Sequence, residues 1–194
     1  MLHITALMDN KPTEHKALIA EHGLSMYLSY NGRRILFDCG SGPNSVGNAR
    51  KLGIDLSGLD AVVLSHSHYD HAAGFRFLIE QGLGSKQLYT GPGFFEPKYA
   101  RGGVRYTNLS AGFDRAFLED HGISCRQVDG LLEIFPGIYL ISGFPGVNPM
   151  ETIPERFVRL TEAGFVPDDF CDEICLAVEV EGGLAVLVGC SHPG

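Results

Sequence analysis

The stretch His66-Ser67-His68-Tyr69-Asp70-His71 places three imidazoles and a carboxylate within six residues, directly behind the apolar run at 60–64. His66 and His68 are two apart. In extended chain leaving a strand tip they point the same way and can share one cation. Asp70 and His71 follow where the apolar period changes to that of a helix, running from 71 to about 80. A carboxylate at a helix start is also favoured by the macrodipole. Two ligands facing one side and two more a turn away suit a pair of metal ions. The alternative is a chance cluster on a polar loop. Eight histidines in 194 residues seldom give this four-ligand spacing by chance.

Working outward, residues 23–30 read as a strand, Asn31-Gly32 as a two-residue hairpin turn, and 33–38 as the returning strand. Cys39-Gly40-Ser41-Gly42 leads into a polar helix to Leu52, stopped by Gly53, before a strand at 61–64. A hairpin ending in Asp-x-Gly, then a helix, then a strand delivering His-x-His-x-Asp-His, resembles the metallo-β-lactamase superfamily over about residues 20–80. Glu21-His22-Gly23-Leu24-Ser25, residues 66–71 and Gly189-Cys190-Ser191-His192 are similar to one branch of it. That branch is named for 7,8-dihydropterin-6-methyl-4-(β-D-ribofuranosyl)aminobenzene-5′-phosphate synthase. The resemblance implies an α/β (α+β) fold, the pseudo-duplicated αββα sandwich, as a single domain over 1–194.

Composition narrows the function. The chain is 44% hydrophobic and 20% charged, ordinary for one globular domain with a sizeable core. Its net charge of −8, with no block of Lys or Arg, lacks the phosphate-neutralising stripe of nucleic-acid binders. That argues against the nuclease branches of the superfamily. No apolar run approaches the roughly 18 residues of a membrane span. The start Met1-Leu2-His3-Ile4-Thr5 is unlike a secretory leader. The five cysteines, 39, 125, 171, 175 and 190, are odd in number and widely spaced, which fits reduced thiols in a cytoplasmic protein. Cys171 and Cys175 have three residues between them and no matching second pair, so a structural zinc site is not expected. Cys175 is expected to face inward from a strand, and Cys39 to be a packed thiol.

Further along, 86–90 reads as a strand, 91–111 as a long segment without period, and 113–121 as a helix closed by Gly122. Residues 123–128 and 138–142 read as strands, and 143–154 as a Gly/Pro-rich loop. Residues 173–180 and 184–188 alternate around Gly182-Gly183 as a hairpin. This second hairpin ends Gly189-Cys190-Ser191-His192, again an apolar strand running into a ligand-capable tip. His192 is expected to be a metal ligand. The resemblance implies that Cys190 stands where many relatives carry an Asp bridging two metals; a buried, unligated thiol is the alternative.

Asp38, ending the first hairpin, is expected to orient a ligand histidine by hydrogen bonding. His22 matches the branch motif and either contacts substrate, supports a ligand or sits in a surface turn. His121 suits a helix C-terminus; His3 and His15 are read as non-site residues. Asp172 and Glu173 precede a strand and are candidates for the neighbourhood of the site, though nothing in their spacing requires it. Ser191 and Pro193 look like a helix opening at the end of the chain. The resemblance implies further strands, helices and a last histidine ligand, so the expectation is a truncated form of the fold, the alternatives being a fold completed by a partner chain or a site reduced to one tight metal. A bare sheet edge in such a form invites dimerisation.

The reaction expected is metal-assisted hydrolysis of a small ester, lactone or phosphoester by a metal-bound hydroxide. His66, His68 and His192 hold the first ion, and Asp70 and His71 the second. Asp70 passes a proton to the leaving group. Nitrogen ligands with one carboxylate suit zinc, with manganese or iron as alternatives. A second hypothesis is group transfer on a pterin or ribosyl phosphate. Phe94, Phe95, Tyr99, Arg101, Arg105 and Tyr106 would then stack a ring and pair a phosphate. A third is a non-catalytic domain that binds a ligand or partner.

Overall fold

The computed structural model describes residues 1–14, 16–146 and 152–193. His15, the end residue Gly194, and 147–151 of the expected Gly/Pro-rich loop lie outside them. Three β-sheets and four short helices make up the described chain.

The first sheet has six strands in the order β1 (Leu2–Met8), β2 (Ser25–Tyr30), β3 (Arg33–Phe37), β4 (Ala61–Val63), β5 (Gln87–Thr90) and β8 (Ser124–Gln127). β1, β2 and β3 pair antiparallel, and β3, β4, β5 and β8 parallel. The β2–β3 turn is made by Asn31 and Gly32, both at positive φ (48° and 78°), as a primed hairpin turn requires. β4 is an unbroken apolar run because it is covered on both faces. Leu36, Val62 and Leu88 point to one side, against the helices α1 (Asn44–Lys51), α2 (Tyr69–Ala72), α3 (Gly74–Glu80) and α4 (Arg115–Asp120). Ile35, Phe37, Ala61 and Val63 point to the other side.

There they meet the second sheet, ordered β14 (Gly183–Leu187), β13 (Ile174–Val180), β10 (Ile138–Ser142) and β9 (Leu131–Phe135). Ile138, Leu140, Leu176 and Val178 fill the space between the two sheets. A fully buried side chain of this kind contributes about 1.5–3 kcal/mol. This is the two-sheet sandwich that the resemblance implies; among the described residues its helices lie on the first sheet alone.

The third sheet departs from expectation. Residues 91–111 contain a hairpin, β6 (Lys98–Gly102) and β7 (Arg105–Asn108), rather than an irregular segment. It pairs with a second hairpin, β11 (Phe157–Thr161) and β12 (Gly164–Pro167), in the order β12-β11-β6-β7. All four β7 positions are exposed, so no apolar alternation announces the strand. The expected helix from 71 begins earlier, at Tyr69, and is divided at Ala73. The helix expected over 113–121 is Arg115–Asp120, its start capped by the Asp114 carboxylate accepting from the Phe117 N–H at 2.9 Å. Cys175 and Cys39 are both buried, as expected.

Candidate metal centre

Three turns meet at one end of the sandwich: 38–40 after β3, 65–71 after β4, and 189–192 after β14. Crevices beyond the carboxyl ends of parallel strands are where open α/β sheets hold their sites. Three of the five non-glycine residues with positive φ border this end: Asp38 (57°), Phe170 (51°) and Ser191 (56°). Backbone strain of this kind gathers at functional sites.

Asp38 is fully buried and organises the pocket floor. One carboxylate oxygen, Oδ1, accepts the Ser65 backbone N–H at 2.7 Å. The other, Oδ2, accepts from the Ser65 hydroxyl at 2.7 Å and from Nδ1 of His71 at 2.6 Å. Ser65 has a single hydroxyl proton and gives it to the carboxylate. Its oxygen, 3.0 Å from Nδ1 of His66, therefore accepts a proton from that nitrogen. Nε2 of His66 is left unprotonated, with its lone pair facing the cleft.

Nε2 of His66, His68 and His192 each lack any hydrogen-bond partner although buried. The His66 ring centroid is 4.8 Å from that of His68 and 5.1 Å from that of His192; His68 and His192 are 5.2 Å apart. Such orphaned acceptors are costly unless something binds them. Ligand atoms of His66, Cys190 and His192 lie within 4.8 Å of one another, and so do those of Asp70, His71 and Cys190. Cys190 Sγ sits 3.1 Å from Nε2 of His71, between the two groups. Asp70 Oδ2 is 3.4 Å from the same nitrogen. Imidazole nitrogens, a cysteine sulfur and a carboxylate converging in two adjacent groups fit a pair of divalent cations.

The titration behaviour follows from burial and charge. Burial, then the charges of His71 and its neighbours, holds His66 well below its ordinary value. Burial, then the Lys98 cation, lowers His68 to about 3 and His192 to about 4. All three are neutral imidazoles at neutral pH, the form able to hold a metal ion. His71 behaves oppositely: burial opposes its charge, but the Asp38 carboxylate raises it to about 12. Burial pushes Asp70 up, yet hydrogen bonding and the charge of His71 bring it below the usual carboxylate range.

His22 lies at the mouth, largely exposed, with Nε2 3.3 Å from Asp70 Oδ2. It is brought there by Gly23, where a Cβ would collide with the Asp70 carbonyl. All eight residues singled out from the sequence (His22, Asp38, His66, His68, Asp70, His71, Cys190 and His192) thus border one cleft.

Several neighbours carried no sequence signal that required them here. Phe170 stacks on His192 at 4.0 Å between ring centroids, and Phe157 flanks His68 and His192 at 5.3 Å. Glu173 accepts the His192 N–H at 2.8 Å and that of Ser191. Burial lifts Glu173 to about 7 against the pull of those two hydrogen bonds. Asp172 accepts the Ser67 N–H at 2.9 Å.

Of the ring-and-phosphate group read from 94–106, Phe94, Phe95, Tyr99, Arg101 and Tyr106 are turned elsewhere, while Arg105, opposite Gly102, lies on the face of Phe157. Phe94 and Phe95 pack with Phe113 beside the helix core. Tyr99 pairs with Val158, and Tyr106 with Arg101. The period of two sets Tyr99, Arg101 and Tyr106 on the opposite face from Phe157. Tyr106 instead stacks on Phe165 at 4.1 Å.

Comparison with known proteins returns the same picture. The family model of the metallo-β-lactamase superfamily matches residues 19–84. An uncharacterized protein of Methanocaldococcus jannaschii is 30% identical over 197 residues, covering 98% of this chain and 70% of the relative. The 7,8-dihydropterin-6-methyl-4-(β-D-ribofuranosyl)-aminobenzene-5′-phosphate synthase of the same organism is 27% identical over 189 residues, 90% of this chain and 63% of the relative. Among solved structures, a metal-dependent hydrolase of the β-lactamase superfamily superposes with a TM-score of 0.81 at 29% identity, covering 100% of this chain and 68% of that one. The chain therefore spans between 63% and 70% of the length of these relatives. No helix among the described residues is long and apolar enough to cross a membrane.

Proposed function

Since the chain belongs to the metallo-β-lactamase superfamily, we propose that it is a metal-dependent hydrolase of a small ester, lactone or phosphoester. The observation that carries this reading is the set of three buried, unpartnered Nε2 atoms on His66, His68 and His192. His66, His68 and His192 would hold one divalent ion and Asp70 and His71 a second, with the Cys190 sulfur within reach of both groups. Ions held there would supply Lewis acidity, lowering the pKa of water towards neutrality and polarising a carbonyl or phosphoryl oxygen. Zinc suits these nitrogen, sulfur and carboxylate donors.

The chain's own groups do the rest. Asp38 accepts from Nδ1 of His71, and through Ser65 it fixes the tautomer of His66, so both rings offer Nε2 to the cleft. Asp70 is ionised and faces the mouth; its Oδ2 takes the proton of the attacking water and returns it to the leaving group. Phe157 and Phe170 wall one side of the histidine cluster and exclude water from it.

Elemental analysis of the zinc-supplemented chain, followed by assays on generic phosphodiester, lactone and thioester substrates, tests this. About two equivalents of metal and turnover of one substrate, both lost when His66 and His68 are changed to Ala, are expected. Cation uptake undisturbed by that double change ends the proposal. A second reading, transfer on a pterin or ribosyl phosphate, is supported by the likeness to the named synthase. It gains if the metallated chain hydrolyses none of the three substrates.

A further inference from the structure

Beneath the histidines lies a charged cluster that the proposed chemistry does not use. Lys98, at the start of β6, is only 2% exposed. Its Nζ donates to Asp172 Oδ1 at 2.6 Å, sits 3.1 Å from Asp168 Oδ2, and lies 4.4 Å above the Phe170 ring. Breaking one partner from a buried ion pair is far costlier than losing a surface pair. A cluster this deep is therefore a fixed element of the architecture.

What it holds is the cation-binding turn. Oδ2 of Asp172, the oxygen not taken by Lys98, accepts the backbone N–H of Ser67, which stands between His66 and His68. A second clip beside it runs from the Ile174 N–H to the Ser65 carbonyl at 2.8 Å. On its far side, the Asp168 carboxylate accepts the Phe170 N–H at 2.9 Å, holding the residue that stacks on His192. Asp172 cannot draw back, because its main chain abuts Gly91, where a Cβ would collide with it.

On the footing of the metal-site reading above, we propose that Lys98 is a positioning residue for the cation-binding turn: through Asp172 it fixes the Ser67 N–H and so the directions of His66 and His68, and through Asp168 it holds Phe170 against His192. Lys98 does not act as a nucleophile. Burial alone would lower its basicity, but Asp172 and Asp168 raise it above the ordinary value, so it stays an ammonium. It makes no hydrogen bond to the three histidines' orphaned nitrogens; its charge adds to burial in holding His68 and His192 neutral, and its hold on their directions runs through the two aspartates. The third sheet is thereby tied to the histidine cluster by the Lys98 ammonium from β6, beside the packing of Phe157 from β11.

The test loads the chain with Co²⁺ and reads affinity, by chelator competition, together with the visible absorption of the bound ion. Lys98→Met is expected to weaken Co²⁺ binding by about 10–100-fold and to change the band shape, since it alters ligand direction. Asp172→Asn, nearly the same size, serves where Lys98→Met does not fold. In Asn one of the two acceptor oxygens becomes an NH2 donor that faces either the Ser67 N–H or the Lys98 ammonium and accepts from neither, so the same spectral change is expected. Arg159→Met is the control. It removes ion pairs to Glu96 and Asp169 on the same sheet and should leave the spectrum alone. Folded Lys98→Met or Asp172→Asn protein with wild-type affinity and bands overturns the positioning role, as does an equal change in Arg159→Met. Failure of the wild-type chain to take up cobalt removes the metal reading itself, a result distinct from either.

Discussion

Asp38 Oδ2 stands 2.6 Å from Nδ1 of His71, with both side chains shut off from solvent. A carboxylate in that position fixes which nitrogen of the ring carries its proton and aims the other at Cys190 and Asp70. Asp38→Ala removes this acceptor and the one used by Ser65. Zinc content should fall from about two equivalents to about one, with activity down about 10–100-fold. Dialysis followed by elemental analysis checks it, and two tightly held ions in the variant would contradict the assignment.

Cys190 stands between the two ligand groups, and its sulfur gives a direct optical handle. The cobalt-loaded chain should show a near-ultraviolet thiolate-to-metal charge-transfer band that disappears in Cys190→Ser. Cys190→Asp should keep both ions, because a carboxylate can span the same gap. An identical near-ultraviolet spectrum in the serine variant would remove Cys190 from the ligand set.

The parts legible in the sequence share one property: their partners are near in the chain or marked by a period. The Asn31-Gly32 turn, the apolar β4 run and the 66–71 motif each declare themselves within a few residues. The third sheet does not, because β7 is exposed at every position and buries no alternating face. Lys98 was equally silent, since a lone lysine in a Gly- and Arg-rich segment gives no hint of an aspartate 74 residues away. Ser65 reads as a strand end until the fold sets Asp38 beside it. Phe157 and Phe170 reach the site only because two hairpins, one ending at Asn108 and the other beginning at Phe157, pair into one sheet. Long-range pairing of weakly patterned strands leaves no local trace.

Gly74 allows the closest backbone approach under the site. A Cβ there would collide with the Cys39 carbonyl, while the Gly74 N–H donates to the Gly40 carbonyl at 2.8 Å. The obstacle is main chain, so no rotamer change relieves it. Gly74→Ala should destabilise the metal-free chain by about 1–3 kcal/mol, as overpacking does. It should also weaken metal binding, because the displaced turn carries Asp38. A urea midpoint unchanged from wild type would show that the turn yields freely.

The titration of the histidines gives the metal-free chain a stability maximum near neutrality. An unfolded histidine takes up a proton as pH falls through 6.5. Folded His68 and His192 resist until about 3 and about 4, and His66 likewise stays neutral. Between those limits the unfolded state binds more protons, so stability falls as pH drops. Glu173, raised to about 7, works against this by taking up its proton early in the folded state, but it is one group against three. On the alkaline side His71, raised to about 12, keeps a proton that the unfolded chain loses above 6.5. Its contribution is complete below 6.5 and is lost progressively as pH rises. Urea midpoints of the chelator-treated chain should therefore peak near pH 6.5 and decline at both pH 5 and pH 9. His71→Gln should flatten the alkaline limb while leaving the acid limb in place. A monotonic profile, or an alkaline limb indifferent to His71, would mean that the Asp38 carboxylate does not hold His71 protonated in the metal-free chain.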